Sequence, residues 1–197
     1  MNKKEGPFRS PEAPGRRQFL RLGAAALSLP FLTPLAAFAS PHTAAEPLPP
    51  DRVLEFYNTH TGESAAVEYC LQGCLVPESL KKIDYILRDH RTGEIKAIDT
   101  GLLNLLNTLA RTISTEAPFH VISGYRSPDT NAYLRTNSGG GVAAKSLHLL
   151  GKAIDIRVPG VDLRVLYRAA VGLRGGGVGI YPGSDFIHVD VGRVRTW

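Results

Sequence analysis

The chain has 197 residues, of which 43% are hydrophobic and 21% charged, with a formal net charge of +5 at pH 7. Six of the 23 Lys and Arg and two of the 18 Asp and Glu precede Ser40, so the remaining 158 residues carry 17 basic and 16 acidic side chains and a net charge of +1. Those residues fit one domain with one core. They contain no basic stripe interleaved with aromatic residues, which argues against a nucleic-acid partner.

Residues 1–39 have the pattern of a twin-arginine export signal. Arg16 and Arg17 follow a polar, basic stretch, an apolar run begins at Leu22, and Ala-Phe-Ala at 37–39 is a small-x-small cleavage pattern. The alternative is a membrane anchor, but the run is rich in alanine, broken by two prolines and only marginally long enough to span. Since a twin-arginine signal exports folded protein, we expect the mature chain in the bacterial periplasm, without a membrane span.

Residues 40–50 are rich in Pro and Ala and predict a disordered lead-in, so the folded domain is expected at 51–197. The two cysteines are Cys70 and Cys74. In an oxidising compartment they could form a short disulfide, although so tight a loop is geometrically demanding, or they could stay as two free thiols. A metal role would need further ligands nearby, and the adjacent residues offer none.

The first half of this domain predicts a hairpin and two helices. Two extended runs, 52–59 and 64–70, are separated by a Thr-Gly-Glu turn at 61–63. Pro77 begins a helix with apolar residues at helical spacing through Leu87. A second helix begins near Asp99 or Thr100, either of which can cap it, and its leucines continue to Ile113.

The second half alternates strands and helices. Strands are predicted at 119–123 and 152–158, a helix begins at Ser127-Pro128, another covers 162–173, and two short strands follow the glycines at 175–177. A glycine-rich loop at 138–141 precedes His148 and is expected to border a cleft. This mixed order predicts an α+β fold, a single domain with a small, mostly antiparallel sheet flanked by helices.

Two histidines and one aspartate predict a metal site. His148, Asp155 and His188 supply the two imidazoles and one carboxylate that hold a catalytic zinc while a fourth position stays open for water. By itself, His148 favours a core histidine with a hydrogen-bond partner over a metal ligand, since leucines flank it. Asp155 favours the metal, because an aspartate between Ile154 and Ile156 in a buried strand needs a cation or several hydrogen bonds. The sequence therefore predicts a metal-dependent hydrolase.

Other polar residues are candidates for roles around that metal. Asp190 shares one face of an alternating strand with His188, so it orients an imidazole, is a rival ligand, or simply faces solvent. Asp185, in the turn before that strand, is the candidate general base, although turn aspartates also cap the backbone. Arg126 follows a predicted strand and is a candidate for binding the substrate carbonyl and oxyanion, with a surface salt bridge as its alternative. His120 is expected to be a core or supporting residue.

Four motifs occur in order along this domain: Ser123-Gly124-Tyr125-Arg126-Ser127, Ser146-x-His148-x-x-Gly151-x-Ala153-x-Asp155, Gly177-Val178-Gly179 and Phe186-Ile187-His188-Val189-Asp190. Together they resemble the YcbK-like (murein endopeptidase K) family, which belongs to the D-Ala-D-Ala metallopeptidase and hedgehog fold group. Each motif alone is moderately specific, whereas all of them in this order are a strong signal. The resemblance covers nearly all of the chain after the signal.

The resemblance implies a zinc peptidase that cuts peptide cross-links of peptidoglycan in the cell envelope. His148, Asp155 and His188 match the metal ligands of that family. Arg126 matches an arginine that related enzymes use on the transition state. Asp185 corresponds in spacing to their acidic base, a position where many relatives carry Glu or His.

Three further residues of the motifs, Ser146, Tyr125 and Asp190, are expected to support the ligands or to contact substrate.

Two alternatives to an endopeptidase stay open. One is a D,D- or L,D-carboxypeptidase or dipeptidase acting on free wall peptides, and the other is a non-catalytic zinc-containing wall-binding module. We expect a monomer. The cleaved bond, either D-Ala to diaminopimelate or one between two diaminopimelates, is left open because subsite loops set that choice.

Overall fold

The computed structural model describes residues 47–137 and 142–197. The predicted export signal, most of the predicted lead-in and the glycine-rich loop at 138–141 lie outside the described residues. Across the described residues there are four helices: α1 (Pro77–Ile86), α2 (Thr100–Thr112), α3 (Pro128–Asn137) and α4 (Leu163–Leu173). The same residues form eight strands: β1 (Arg52–Asn58), β2 (Ser64–Leu71), β3 (Cys74–Leu75), β4 (Phe119–Ser123), β5 (Ala153–Arg157), β6 (Gly177–Tyr181), β7 (Phe186–Asp190) and β8 (Arg195–Thr196).

The helices begin at the residues expected to begin them. Pro77 is the first residue of α1. The Asp99 carboxylate accepts a hydrogen bond from the Gly101 N–H at 2.8 Å and caps α2. Asp162 caps α4 in the same way, accepting from two N–H groups of its first turn. Within the described ranges, no helix is both long and apolar enough to cross a membrane.

All of the described strands belong to one sheet, in the order β3-β2-β1-β4-β5-β7-β6-β8. Most neighbours are antiparallel, as predicted, but β1 pairs with β4 and β6 pairs with β8 in parallel. The sequence predicted neither parallel pair, because parallel neighbours are joined by long connections that leave no local pattern. The described residues thus form the predicted single α+β domain, with a larger sheet than expected.

The two faces of the sheet carry different side chains, one apolar and one polar. Alternate residues of the central strands, such as Phe56, Val121, Ile156 and Val189, are buried in one core with α1, α2 and α4. The residues between them point to the opposite face, which carries the polar side chains of β5 and β7. The candidate site therefore lies on a different face of the sheet from the hydrophobic core.

The two cysteines are free thiols in the structure. Cys70 is buried on β2 and pairs in register with Leu75, while Cys74 is exposed on β3 and pairs with Leu71. The Cys70 thiol donates a hydrogen bond to the Pro50 carbonyl oxygen at 3.3 Å. Of the two alternatives left open by the sequence, the structure has the free thiols.

Gly151 should be intolerant of a side chain. Its φ is +64°, and a Cβ there would clash with the Ala97 carbonyl oxygen, whereas Gly160 has φ +77° and nothing within 4 Å of that position. We expect both alanine substitutions to cost about 1 kcal/mol from the left-handed backbone, and Gly151→Ala to cost about 2 kcal/mol more from the clash. Urea unfolding of both variants measures the difference. Equal losses would show that the contact with Ala97 does not constrain this turn.

Candidate metal centre

Three side chains point donor atoms at one another on the open face of the sheet. His148 Nε2 lies 3.2 Å from His188 Nδ1 and 3.2 Å from Asp155 Oδ1, and His188 Nδ1 lies 2.9 Å from Asp155 Oδ1. The three residues are only 2%, 9% and 7% exposed, in the order His148, His188, Asp155. Among the residues that the structure describes, they form the group of His, Cys, Asp and Glu able to hold a metal ion.

Strand register and one short turn bring these residues together. Asp155 on β5 and His188 on β7 are direct cross-strand partners, so their side chains leave the same face side by side. His148 lies in a 3-10 turn, Leu147–Leu150, and the Ser146 hydroxyl caps this turn by accepting a hydrogen bond from the His148 N–H at 3.3 Å. The His148 carbonyl oxygen accepts from the Arg126 N–H at 3.2 Å, which ties this turn to the segment after β4.

The second nitrogen of each imidazole is held by the protein. His148 Nδ1 donates to the Gly124 carbonyl oxygen at 2.7 Å, and His188 Nε2 donates to Asp190 Oδ2 at 3.0 Å. These partners place the proton on the outer nitrogen of each neutral ring. Two nitrogen lone pairs and a carboxylate oxygen then face one another, an arrangement that a cation between them stabilises.

The spacing fits zinc. Bonds of about 2.0–2.1 Å to nitrogen and oxygen place the ligand atoms of a tetrahedral zinc roughly 3.3 Å apart. The observed separations of 2.9 to 3.2 Å are close to that value. Two imidazoles and one carboxylate also form a known ligand set of catalytic zinc, with one position left for water. The residues present therefore fit the ion.

The charges around the three candidate ligands favour a bound cation. Burial alone would raise the pKa of Asp155, but His148 and His188 outweigh burial and hold that pKa well below its usual range. Burial would also lower the pKa of His188, but the adjacent carboxylates of Asp155 and Asp190, which favour the protonated ring, outweigh it and raise that pKa. The two buried carboxylates thus make the position between the imidazoles attractive to positive charge.

Asp190 lies behind His188, outside the group of facing donor atoms. It is fully buried and accepts hydrogen bonds from the N–H groups of Gly177 at 2.9 Å and Gly192 at 2.8 Å. The Arg195 guanidinium is 2.6 Å from its Oδ2. So many donors keep Asp190 ionised and fixed, which in turn fixes the orientation of the His188 ring.

Arg126 contacts the outer oxygen of the ligand carboxylate. Its Nη2 lies 3.3 Å from Asp155 Oδ2 and 3.2 Å from Ser123 Oγ, and the residue is 9% exposed. The ion pair is therefore buried, unlike the surface salt bridge that was its alternative. Because Arg126 holds Oδ2, Asp155 turns Oδ1 toward the two imidazoles.

The structure does not bring three of the predicted residues into this group. Asp185 is a left-handed turn residue, and its side chain is 65% exposed and paired with Arg157 at 3.3 Å. The ring of His120 packs on Tyr57, with centroids 4.8 Å apart. The hydroxyl of Tyr125 is 3.5 Å from Glu94 Oε2.

Asp89 is a buried residue that the sequence analysis did not identify. Its carboxylate accepts from the N–H groups of Ser127 at 2.8 Å and Arg91 at 2.9 Å, so it holds the backbone next to Arg126. Burial would raise the pKa of Asp89, but these hydrogen bonds and others from the start of α3 outweigh it and lower that pKa. In the sequence Asp89 lies between Arg88 and His90, three residues after the end of α1, and no local pattern there indicates a buried carboxylate.

Comparison with known proteins places the chain in a family. The family model of peptidoglycan L,D-endopeptidase MepK matches residues 46–197. The chain belongs to this family. It is 43% identical over 182 residues to the peptidoglycan L,D-endopeptidase MepK of Escherichia coli (strain K12), which covers 92% of this chain and 96% of that protein. It is also 43% identical over 183 residues to the probable peptidoglycan L,D-endopeptidase MepK of Haemophilus influenzae, with 92% and 95% covered. The predicted resemblance is confirmed.

Asp190→Asn should weaken zinc binding without removing a ligand. The His188 N–H would lose its ionised acceptor, and loss of such a partner typically lowers metal affinity by about 10- to 100-fold. Competition with a chelator of known affinity measures the change. Asp162→Asn, at the exposed cap of α4, is the matched control and should retain the wild-type zinc affinity. Wild-type affinity in Asp190→Asn would contradict a supporting role for this carboxylate.

Asp89 should contribute stability that is lost in acid. A carboxyl with a lowered folded-state pKa stabilises the fold above its unfolded pKa of about 3.9 and loses that contribution as the pH falls further. We expect Asp89→Asn to be less stable than wild type at pH 7 and to lose less stability between pH 5 and pH 3. Urea midpoints across this range test the prediction, with exposed Asp129→Asn as control. Parallel pH profiles for wild type and Asp89→Asn would contradict it.

Proposed function

We propose that this chain is a zinc-dependent peptidoglycan L,D-endopeptidase. The observation that carries the proposal is the convergence of His148, Asp155 and His188 at zinc-like spacings within the segment that matches the family. The relatives that bear this activity in their names align with nearly the whole chain. A ligand set of three with one open position is typical of a hydrolytic zinc site, whereas structural zinc sites are closed by four protein ligands.

The chain's own residues support hydrolysis of an amide. A bound zinc lowers the pKa of its water to about 7 and polarises a carbonyl. The Gly124 carbonyl and Asp190 keep both imidazoles in the required tautomer. Arg126, at the edge of the same group, offers N–H donors to the oxygen that becomes negatively charged as the amide is attacked.

The proton acceptor that we propose is Asp185. A general base must come within about 2.6–3.2 Å of the proton it takes, directly or through one water. Asp185 is held instead by Arg157 in an exposed ion pair, and such a pair contributes no more than about 1 kcal/mol. Rotation of the side chain toward His188 therefore costs little.

The L,D designation of the relatives favours one of the two cross-links. A bond between two diaminopimelates joins the carbonyl of an L centre to the amine of a D centre, whereas the bond from D-Ala to diaminopimelate joins two D centres. We therefore propose the diaminopimelate–diaminopimelate bond as the substrate. We also propose that the twin-arginine signal delivers the folded chain to the periplasm, where this polymer lies.

Defined muropeptides test the activity. The zinc-loaded protein should cleave dimers cross-linked between two diaminopimelates, and chelation should abolish cleavage until zinc is restored. Dimers linked through D-Ala and monomers with free peptide ends are the matched controls and should stay intact. Products from monomers alone would indicate a carboxypeptidase or dipeptidase. Binding to sacculi without any cleavage by the zinc-loaded protein would indicate a wall-binding module.

Substitution of Asp185 tests the proposed base. We expect Asp185→Asn to lower kcat by about 100-fold or more, because general bases contribute that much, while one zinc per chain is retained. Arg157→Gln is the control, since it breaks the same ion pair and leaves the carboxylate in place. A wild-type kcat in Asp185→Asn would contradict the role of Asp185 as general base and leave it only the ion pair with Arg157.

A further inference from the structure

An exposed aromatic ring stands beside the metal ligand His188. The indole of Trp197, the single tryptophan in the chain, has its centroid 5.2 Å from that of the His188 imidazole at an interplanar angle of 45°. Trp197 is 46% exposed, which is unusual for a residue held by so many contacts. Exposed aromatic rings next to a reactive site are typical of surfaces that bind a ligand.

The backbone around Trp197 is built to hold the ring in this place. Gly179 pairs with His188 in the register of β6 and β7, and a Cβ on Gly179 would lie 2.5 Å from the indole atoms Cε2 and Nε1. The glycine therefore makes room for the ring next to the histidine. The Trp197 N–H donates to Val178 at 3.2 Å, and its carbonyl oxygen accepts from the Ile180 N–H at 3.1 Å.

Side chains fix the ring as well. The indole Nε1–H donates to the Tyr181 hydroxyl at 2.8 Å, and the Arg195 guanidinium lies 4.9 Å from the indole centroid. Arg195 is in turn bound to Asp190, the carboxylate behind His188. Since the N–H already has an acceptor, the exposed part of the indole offers apolar surface and no hydrogen bond to a ligand.

We propose that the Trp197 indole is the wall of the substrate cleft on the His188 side of the metal, where it packs against the methylene groups of a residue flanking the scissile bond. This inference rests on the proposed function. A ring 5.2 Å from a metal ligand reaches only groups close to the bond being cut. Next to that bond, diaminopimelate has a stem of three methylene groups. The glycan is separated from the cross-link by further peptide residues, so it lies farther from the ring. The stacked pair of Tyr181 and Phe186, with centroids 4.6 Å apart, extends the same wall along β7.

Kinetics on sugar-free, cross-linked peptide dimers test the wall. Loss of a substrate contact made equally in the ground and transition states raises KM and leaves kcat unchanged. We expect Trp197→Ala to raise KM by about tenfold or more, the loss expected for a buried aromatic anchor. Trp197→Phe should recover most of that loss, and both variants should retain the zinc content of the wild type. Tyr85→Ala, which removes a half-exposed aromatic ring of α1, is the matched control and should change neither constant.

An unchanged KM in Trp197→Ala would overturn the inference. A fall in kcat together with loss of zinc would also overturn it, because the ring would then serve only the fold of the centre. A KM effect confined to substrates that carry glycan would show that the wall contacts sugar instead of the peptide. If Trp197→Ala does not fold, KM is compared among wild type, Trp197→Phe and Trp197→Leu. A wild-type KM in Trp197→Leu would contradict the proposed contact of the indole with substrate.

Tryptophan emission separates this inference from the proposed function. Because Trp197 is the single tryptophan, the wild-type holoenzyme reports directly on contacts at this ring. We expect a saturable emission change with a tripeptide that ends in diaminopimelate, and none with the same tripeptide ending in Gly. An emission change without cleavage of dimers would support the contact at Trp197 and contradict the endopeptidase activity. Cleavage with no emission change and no KM effect would contradict the contact at Trp197 and leave the proposed activity standing.

Discussion

The site depends on two buried imidazole nitrogens and one carboxylate oxygen that face one another. The outer nitrogens of His148 and His188 are already occupied by the Gly124 carbonyl and by Asp190, so neither ring can turn away without breaking a buried hydrogen bond. Among the residues that the structure describes, no hydrogen-bond donor pairs with all three of these atoms at once. A divalent ion would do so, and with the Arg126 ion pair it would compensate the buried charge of Asp155.

That arrangement follows from strand register more than from any loop. Asp155 and His188 face each other because β5 and β7 pair in antiparallel register, and a slip of one residue would turn one side chain into the hydrophobic core. Arg126 is placed by a second constraint, the Asp89 carboxylate that binds the backbone N–H of Ser127. Helices α1, α2 and α4 pack in the hydrophobic core on the opposite face of the sheet, so they do not cover the face that carries the candidate ligands.

The three candidate ligands could be identified from the sequence because their chemistry is local. An aspartate inside an apolar strand and a histidine in a strand of alternating polarity are each visible without a structure, and most helices and strands lie close to their predicted bounds. The Asp190–Arg195 pair and the position of Trp197 were not predictable in this way. They depend on β8, a strand of two residues, and on its parallel pairing with β6. The exposed ion pair between Asp185 and Arg157 was not predictable either, because Arg157 lies on β5 and is distant in sequence from the turn that contains Asp185.

X-ray absorption at the zinc edge distinguishes this set of ligands from any that includes a thiolate. We expect nitrogen and oxygen neighbours at about 2.0–2.1 Å with outer scattering from two imidazole rings, and no sulfur. A scatterer at about 2.3 Å would place the ion on a cysteine thiolate. That result, or a spectrum without imidazole contributions, would contradict a centre formed by His148, Asp155 and His188.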